Sequence, residues 1–110
     1  MRMGWVLSGW EPMGPDLKVD IDLVRGARKG LGDDGTVLID AGCVWDARTA
    51  LDRAKAFSEF NIGWLEEPLQ PDDYEGYRWL RDRSPIPIAS GEEECGRQAF
   101  RPLIDGRCLD

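Results

Sequence analysis

The chain has 110 residues and a mass of 12.4 kDa, which suffices for one compact domain at most, or for part of a larger one. It carries 21 acidic and 14 basic side chains, and the resulting net charge of −7 disfavours nucleic-acid binding because phosphate backbones would be repelled. Hydrophobic residues make up 42% of the chain, which is enough for a core and argues against a disordered acidic segment.

The sequence contains no histidine, which excludes histidine acid–base catalysis and histidine-containing metal sites from this chain alone. Its three cysteines are far apart and form no Cys-x-x-Cys pair, so neither a zinc site nor a disulfide framework is indicated. The N-terminal stretch is too weakly apolar for a secretory signal, and no run approaches the ~20 apolar residues of a membrane span. We therefore expect a cytoplasmic protein without a membrane partner.

The first predicted element is a short strand over Met3–Trp10, followed by a turn rich in Gly and Pro. A helix is predicted after Asp16, a suitable N-cap, because apolar residues then recur at helical spacing. Gly30 and Gly32 are expected to end this helix. Its apolar positions are Leu17, Ile21, Val24 and Leu31.

Three further strand–helix units follow in the sequence. Their strands are continuous apolar runs, typical of strands buried on both faces of a parallel sheet: Thr36–Ile39, Ile62–Leu65 and Ile86–Ala89. Their helices are predicted after Asp46, after Pro71–Asp73 and around Phe100–Ile104. Strands that alternate with helices of about a dozen residues indicate an α/β fold with a parallel sheet.

Each of these three strands is followed by an acidic residue. Asp40 follows the first, and Glu66 and Glu92 follow the others at equal intervals of 26 residues. A strand, a helix and two short loops sum to about this length, so each acid occupies the same place in its unit. Because the C-terminal ends of parallel strands meet at one edge of the sheet, we expect the three carboxylates at that edge.

Carboxylates that lie close together repel each other, and a bound divalent cation would offset their negative charge. Oxygen-only ligands suit Mg²⁺ or Ca²⁺, and three protein ligands leave positions open for water or substrate, as in catalytic sites. The alternative is that each acid only caps the next helix or lies solvated in a loop. Equal spacing in three successive units favours a shared metal site over chance. The spacing alone leaves both interpretations open.

Three motifs also carry a family resemblance: Val37–Ala41, Trp64–Leu69 and Pro87–Glu92. In this order and spacing they resemble the enolase superfamily, and within it the mandelate racemase/muconate lactonizing enzyme group with its sugar-acid dehydratases. The resemblance covers about residues 10–110. It implies a partial (β/α)8 TIM-type barrel of about three to four βα units, with residues 1–110 forming one partial barrel domain.

In that family each motif supplies one ligand to an essential Mg²⁺, so the resemblance implies Asp40, Glu66 and Glu92 as metal ligands. It also implies removal of the proton α to a carboxylate, with the metal stabilising the enediolate. The substrate would be a small carboxylate or a sugar acid. Racemisation, β-elimination of water or cycloisomerisation would then give the product.

The first two departures from the family pattern concern the chain length and the general base. The chain is shorter than the ~250 residues of a whole barrel, so we expect the N-terminal capping domain and the last strands to be absent. The family's Lys-x-Lys falls near Leu7 and Gly9, neither of which is lysine. The three lysines present lie in helical patterns: Lys18, Lys29 and Lys55. The catalytic residues are therefore unknown, and no general base is expected at the usual place.

Several residues beside the predicted ligands have mainly structural interpretations. Gly42 stands where the family often has Asn, which removes a polar contact near the metal. Cys43 and Cys95 are interpreted as incidental loop cysteines, because hard cations disfavour thiolates.

Glu67 has two open interpretations, since it could orient a metal ligand or pair with an arginine. Trp45 and Trp64 are expected to pack in the interior. Glu93 and Glu94 are expected to form a solvated acidic run.

Two functions stay open for the chain. It is either a segment of a Mg²⁺-dependent dehydratase or racemase that supplies the metal ligands, or a non-catalytic barrel fragment that is inactive alone. Unpaired sheet edges and exposed apolar surface would make the isolated chain associate, and a homo-oligomer is one form of such association.

Overall fold

The computed structural model describes residues 2–3 and 16–110, with side chains over 16–110. Its described strands are β1 (Arg2–Met3), β2 (Val37–Asp40), β3 (Ile62–Glu66) and β4 (Ile88–Ala89). Its described helices are α1 (Leu17–Leu31), α2 (Ala47–Phe57), α3 (Tyr74–Arg81) and α4 (Arg97–Asp105), with a 3-10 turn at Ser58–Phe60. No helix within these ranges is long and apolar enough to cross a lipid bilayer.

The four described strands form one parallel sheet in the order β1-β2-β3-β4. Each strand therefore pairs with the next one in the chain, and α1, α2 and α3 each connect two neighbouring strands, whereas α4 follows β4. This arrangement confirms the predicted alternation of strands and helices. The predicted strand over Met3–Trp10 falls mainly outside the described residues.

Aspartates begin three of the helices, as capping chemistry predicts. The carboxylates of Asp16, Asp46 and Asp73 accept hydrogen bonds from backbone N–H groups in the first turns of α1, α2 and α3. The prediction that Gly30 ends α1 is wrong, because this residue lies inside the helix. Gly32 is the true C-cap, where a φ of 78° suits a residue without a side chain.

The helices pack on one face of the sheet only. Ile39, Leu65 and Ile88 are buried on that face and join the core formed with α2, α3 and α4. The prediction that the strands are buried on both faces is wrong, since Leu38 is half-buried and Trp64 is 39% exposed.

The fourth predicted strand is shorter than the sequence indicates, because β4 begins only at Ile88. Pro87 has no N–H to donate to the ladder, although its carbonyl accepts from the N–H of Leu65 at 2.8 Å. The short strand still brings Ala89 into register with Glu66.

A buried ion pair joins α1 to α2. The Arg53 guanidinium donates to the Asp20 carboxylate at 2.7 Å, and both residues are more than nine-tenths buried. The same guanidinium lies 5.8 Å from the ring centroid of buried Trp45. Two charges in the interior are stable only together, so this pair specifies how the two helices meet.

Replacement of Arg53 by Met should lower the free energy of unfolding by about 3–5 kcal/mol, because it leaves the Asp20 carboxylate buried without its counter-charge. The combined Asp20→Leu/Arg53→Met variant should recover most of this loss. Urea unfolding of the full-length protein measures both. Arg25→Ala is the matched control, since the exposed Arg25–Asp22 pair should contribute less than about 1 kcal/mol. Equal losses at Arg53 and Arg25 would contradict the assignment.

Candidate metal centre

The acids predicted from the sequence lie at the carboxyl edge of the sheet. Asp40 ends β2 and Glu66 ends β3, and the two are direct register partners, so their side chains leave the same face of the sheet. Glu66 is also in register with Ala89 of β4, three residues before Glu92. The strand order thus brings Asp40, Glu66 and the loop of Glu92 to the carboxyl edge of the sheet.

Backbone hydrogen bonds continue the ladder beyond the ends of the strands. The N–H of Ala41 donates to the carbonyl of Glu66 at 2.9 Å, and the N–H of Glu67 donates to that of Ala89 at 2.9 Å. The N–H of Cys43 donates to the carbonyl of Glu67 at 2.6 Å. Because these hydrogen bonds hold the loops, the backbone that carries the acidic side chains is fixed in position.

The closest acidic cluster of the described part of the chain consists of Glu67, Glu92 and Glu93. One carboxylate oxygen from each lies within 4.8 Å of the others. The prediction that Glu93 belongs only to a solvated run is therefore incomplete, since it is exposed but takes part in this cluster. Asp40 is fully buried and Glu66 is half-buried beside it.

Glu67 is the buried member of the cluster, with 2% of its surface exposed. Its Oε1 atom has no hydrogen-bond partner, and no basic side chain of residues 16–110 forms an ion pair with it. Burial raises the pKa of its carboxyl, and the charges of Glu92 and Asp40 raise that pKa further. Glu67 was expected either to orient a metal ligand or to pair with an arginine. Residues 16–110 contain no arginine that forms an ion pair with it.

The backbone is left-handed at each of the three loops that carry the acids. Cys43 has a φ of 61° and Glu67 a φ of 46°, which are unusual for residues with side chains. Gly91, just before Glu92, has a φ of 125°, and a Cβ there would lie 2.6 Å from the ring of Phe100. Strained conformations of this kind concentrate at functional sites, where the surrounding structure holds them.

Two cysteines near the acids differ in their surroundings. Burial raises the pKa of the Cys43 thiol to about 11, and the neighbouring charges of Glu67, Glu93, Asp40 and Glu92 contribute to the rise. A thiol with this pKa stays protonated at neutral pH and is a poor metal ligand. Cys95 is exposed.

A tyrosine on α3 holds the loop that follows β3. The Tyr77 hydroxyl donates to the carbonyl of Leu69 at 2.9 Å. Tyr77 is fully buried, and burial raises the pKa of its phenol. The signal in the sequence was a tyrosine at a core position of a helix, because a buried phenol needs a polar partner.

The two tryptophans expected in the interior behave differently. Trp45 is 6% exposed and packs in the core, as predicted. Trp64 is 39% exposed, so the packing prediction is wrong for it, and its indole N–H donates to Oε2 of Glu66 at 3.2 Å. The reason is its place on the sheet face that the helices do not cover.

The donor set at this edge fits a hard divalent cation. Its side chains offer carboxylate oxygens only, which are the ligands preferred by Mg²⁺. A buried carboxylate oxygen without a partner and a raised pKa both indicate that the site lacks positive charge. Leu7 and Gly9, at the predicted positions of the family's lysines, lie outside the described residues, and the three lysines of the chain are exposed on α1 and α2.

Several known proteins are similar to this chain in sequence and in architecture. The family profile described as "Enolase C-terminal domain-like" matches residues 3–110. The L-talarate/galactarate dehydratase of Salmonella typhimurium is 34% identical over 96 residues, which are 87% of this chain and 24% of that protein.

Two solved structures are similar over 99% of this chain and 28% of theirs. One is a racemase from Streptomyces coelicolor A3(2) with bound magnesium, with a TM-score of 0.85 and 32% identity. The other is the L-talarate dehydratase of Polaromonas sp. JS666 complexed with Mg and L-glucarate, with a TM-score of 0.84 and 35% identity. The match confirms the predicted α/β fold as part of a barrel, and the chain spans about a quarter of the length of these relatives.

Replacement of Tyr77 by Phe should lower the free energy of unfolding by about 1–3 kcal/mol, since it leaves the carbonyl of the buried Leu69 without its hydroxyl donor. Urea unfolding of the full-length protein measures the loss. Tyr74→Phe, at a partly exposed position of the same helix, is the control and should change stability little. Equal effects at both positions would contradict the proposed role of the hydroxyl.

The Cys43 thiol should react slowly with iodoacetamide at pH 8, because a thiol with a pKa of about 11 is only ~0.1% thiolate there. The alkylation rate should rise about tenfold per pH unit up to pH 10, as measured by peptide mass spectrometry. Glu67→Gln should increase the rate at pH 8, since it removes a negative charge that opposes the thiolate. A plateau near pH 8.5, as for an ordinary thiol, would contradict the assignment.

Proposed function

Because the chain belongs to the enolase C-terminal domain-like family, in the mandelate racemase/muconate lactonizing enzyme group, we propose that it forms the magnesium-binding edge of an enzyme that acts on sugar acids. The proposed reaction begins with removal of the proton α to the substrate carboxylate. The observation that carries the proposal is the register pairing of Asp40 with Glu66 beside the acidic cluster of the loop after β4.

Asp40, Glu66 and Glu92 are the proposed metal ligands. Support comes from their equal spacing in the chain, from their common edge of the sheet and from the all-oxygen donor set. Mg²⁺, when bound, supplies Lewis-acid stabilisation of the negative charge that develops on the substrate carboxylate. Asp40 is held by burial and by the Gly42 N–H, which donates to its Oδ1 at 3.0 Å.

The charge balance of the edge limits what can bind there. Five carboxylates lie at it or next to it: Asp40, Glu66, Glu67, Glu92 and Glu93. One divalent cation offsets only two of these charges, and an anionic sugar acid would add another. We therefore propose that Glu67 lowers the local charge by holding a proton or by facing a cationic group, rather than by acting as a further ligand.

The substrate proposal is a hydroxylated mono- or dicarboxylic sugar acid. It is supported by similarity to dehydratases of this class, one of which is complexed with L-glucarate. Loss of water and racemisation both remain within the proposal, because both begin with removal of the same proton. A cytoplasmic location accords with three free cysteines, and association of copies through sheet edges is a further proposal.

A specific observation favours a second candidate function, a non-catalytic barrel segment. Leu7 and Gly9 occupy the positions at which the family's Lys-x-Lys was expected, and the chain has no histidine. A chain with metal ligands and without a base would bind Mg²⁺ but would not remove the α-proton.

Mg²⁺ titration of the full-length protein by calorimetry tests the metal assignment. Asp40→Asn, Glu66→Gln and Glu92→Gln should each weaken binding by more than about 100-fold, since partners that only orient a ligand account for roughly 10- to 100-fold. Glu94→Gln is the matched control in the same loop and should leave the affinity within about twofold. Unchanged affinity in the Glu66→Gln variant would overturn the assignment.

Exchange of the substrate α-proton in D₂O separates the two candidate functions. With L-glucarate or a related sugar acid, the enzyme should exchange this proton or release a 2-keto acid, and Glu66→Gln should abolish both. Tight Mg²⁺ binding without exchange for any sugar acid tested would support the non-catalytic candidate instead.

A further inference from the structure

Trp64 lies directly beside a proposed metal ligand. It precedes Glu66 by two residues on β3, so both side chains leave the same face of the sheet. Its indole N–H donates to Oε2 of Glu66 at 3.2 Å. The hydrogen bond is therefore made to the carboxylate that the proposed function assigns to the metal.

Core packing does not account for Trp64. Leu65, the next residue, is fully buried against the helices and belongs to the hydrophobic core. Trp64 points to the opposite face, is 39% exposed and is not part of that core. Among residues 16–110, the contact that the structure gives for its polar atom is the hydrogen bond to Glu66.

We propose that Trp64 is a positioning residue for the Glu66 carboxylate. A glutamate side chain has several rotatable bonds, and ordering it costs up to about 2 kcal/mol of conformational entropy. A hydrogen bond to Oε2 restrains the carboxylate and so limits the orientations in which it can bind a cation. Outer partners of this kind fix ligand orientation in metal sites in general. The inference rests on the proposed function, because it requires Glu66 to be a metal ligand.

The chemistry of the donor suits this role. The indole N–H is a donor only and carries no charge, so it orients the carboxylate without offsetting its negative charge. A lysine or arginine in its place would compete with the cation for the same oxygen. In a site where four further carboxylates lie nearby, a neutral donor retains the charge that attracts Mg²⁺.

The other described tryptophans provide the comparison. Trp45 is buried in the core, and its indole nitrogen has no hydrogen-bond partner. Trp79 lies on α3, where its ring contacts the guanidinium groups of Arg48 and Arg83 at 5.8 and 4.7 Å from the centroid. Trp79→Phe is therefore a matched control that removes an indole N–H whose ring contacts arginines rather than a carboxylate.

The experiment measures Mg²⁺ affinity of the full-length protein by calorimetry. Trp64→Phe, which keeps an aromatic ring and removes the N–H donor, should weaken Mg²⁺ binding by about 10- to 100-fold. Trp79→Phe should change it by less than about twofold. A second variant with β-(3-benzothienyl)alanine at position 64 keeps the ring size without the N–H, and it should reproduce the loss even if the smaller ring of Phe impairs folding.

A spectroscopic signature tests the contact itself. In ¹H–¹⁵N spectra the Trp64 indole resonance, assigned by its loss in Trp64→Phe, should shift during Mg²⁺ titration, whereas the Trp79 indole should not. Unchanged Mg²⁺ affinity in both position-64 variants, with strong loss in Glu66→Gln, would overturn this inference and leave the proposed function intact. Unchanged affinity in Glu66→Gln would overturn both.

Discussion

Electrostatic repulsion among carboxylates at one edge of a parallel sheet is the constraint on which the rest of this structure depends. Parallel strands in sequential order bring Asp40 and Glu66 into register and carry the loop of Glu92 to the same edge. The buried Glu67 adds a charge that the described residues do not neutralise. A site of this kind is stable only with positive charge or protons, which is the physical basis of the proposed magnesium site.

The surrounding structure holds these groups against their repulsion. Backbone hydrogen bonds extend the ladder into the loops, and the Tyr77 hydroxyl holds the carbonyl of Leu69 in the loop after β3. Left-handed conformations at Cys43 and Glu67 are maintained by the same contacts. The same hydrogen bonds thus hold the loops rigid and keep the backbone in strained conformations. These conformations orient the acidic side chains.

Local chemistry made much of the fold predictable. Aspartate caps, helical spacing of apolar residues and short apolar runs indicate the helices and strands, because each depends on neighbours in the chain. Gly30 shows the limit, since a glycine permits a helix to end but does not require it, and α1 continues to Leu31. The exposed face of Trp64 could not be predicted either, because burial depends on which segments cover a strand.

The sequence by itself determined the order of strands and helices, the equal spacing of three acids and the family to which the chain belongs. Only the tertiary structure decided that Glu67 and Glu93 join Glu92, that Trp64 contacts Glu66 and that Arg53 pairs with Asp20. The physical reason is distance along the chain. Spacing specifies where a residue lies within its own unit, whereas contacts between units depend on how the units pack against each other in three dimensions.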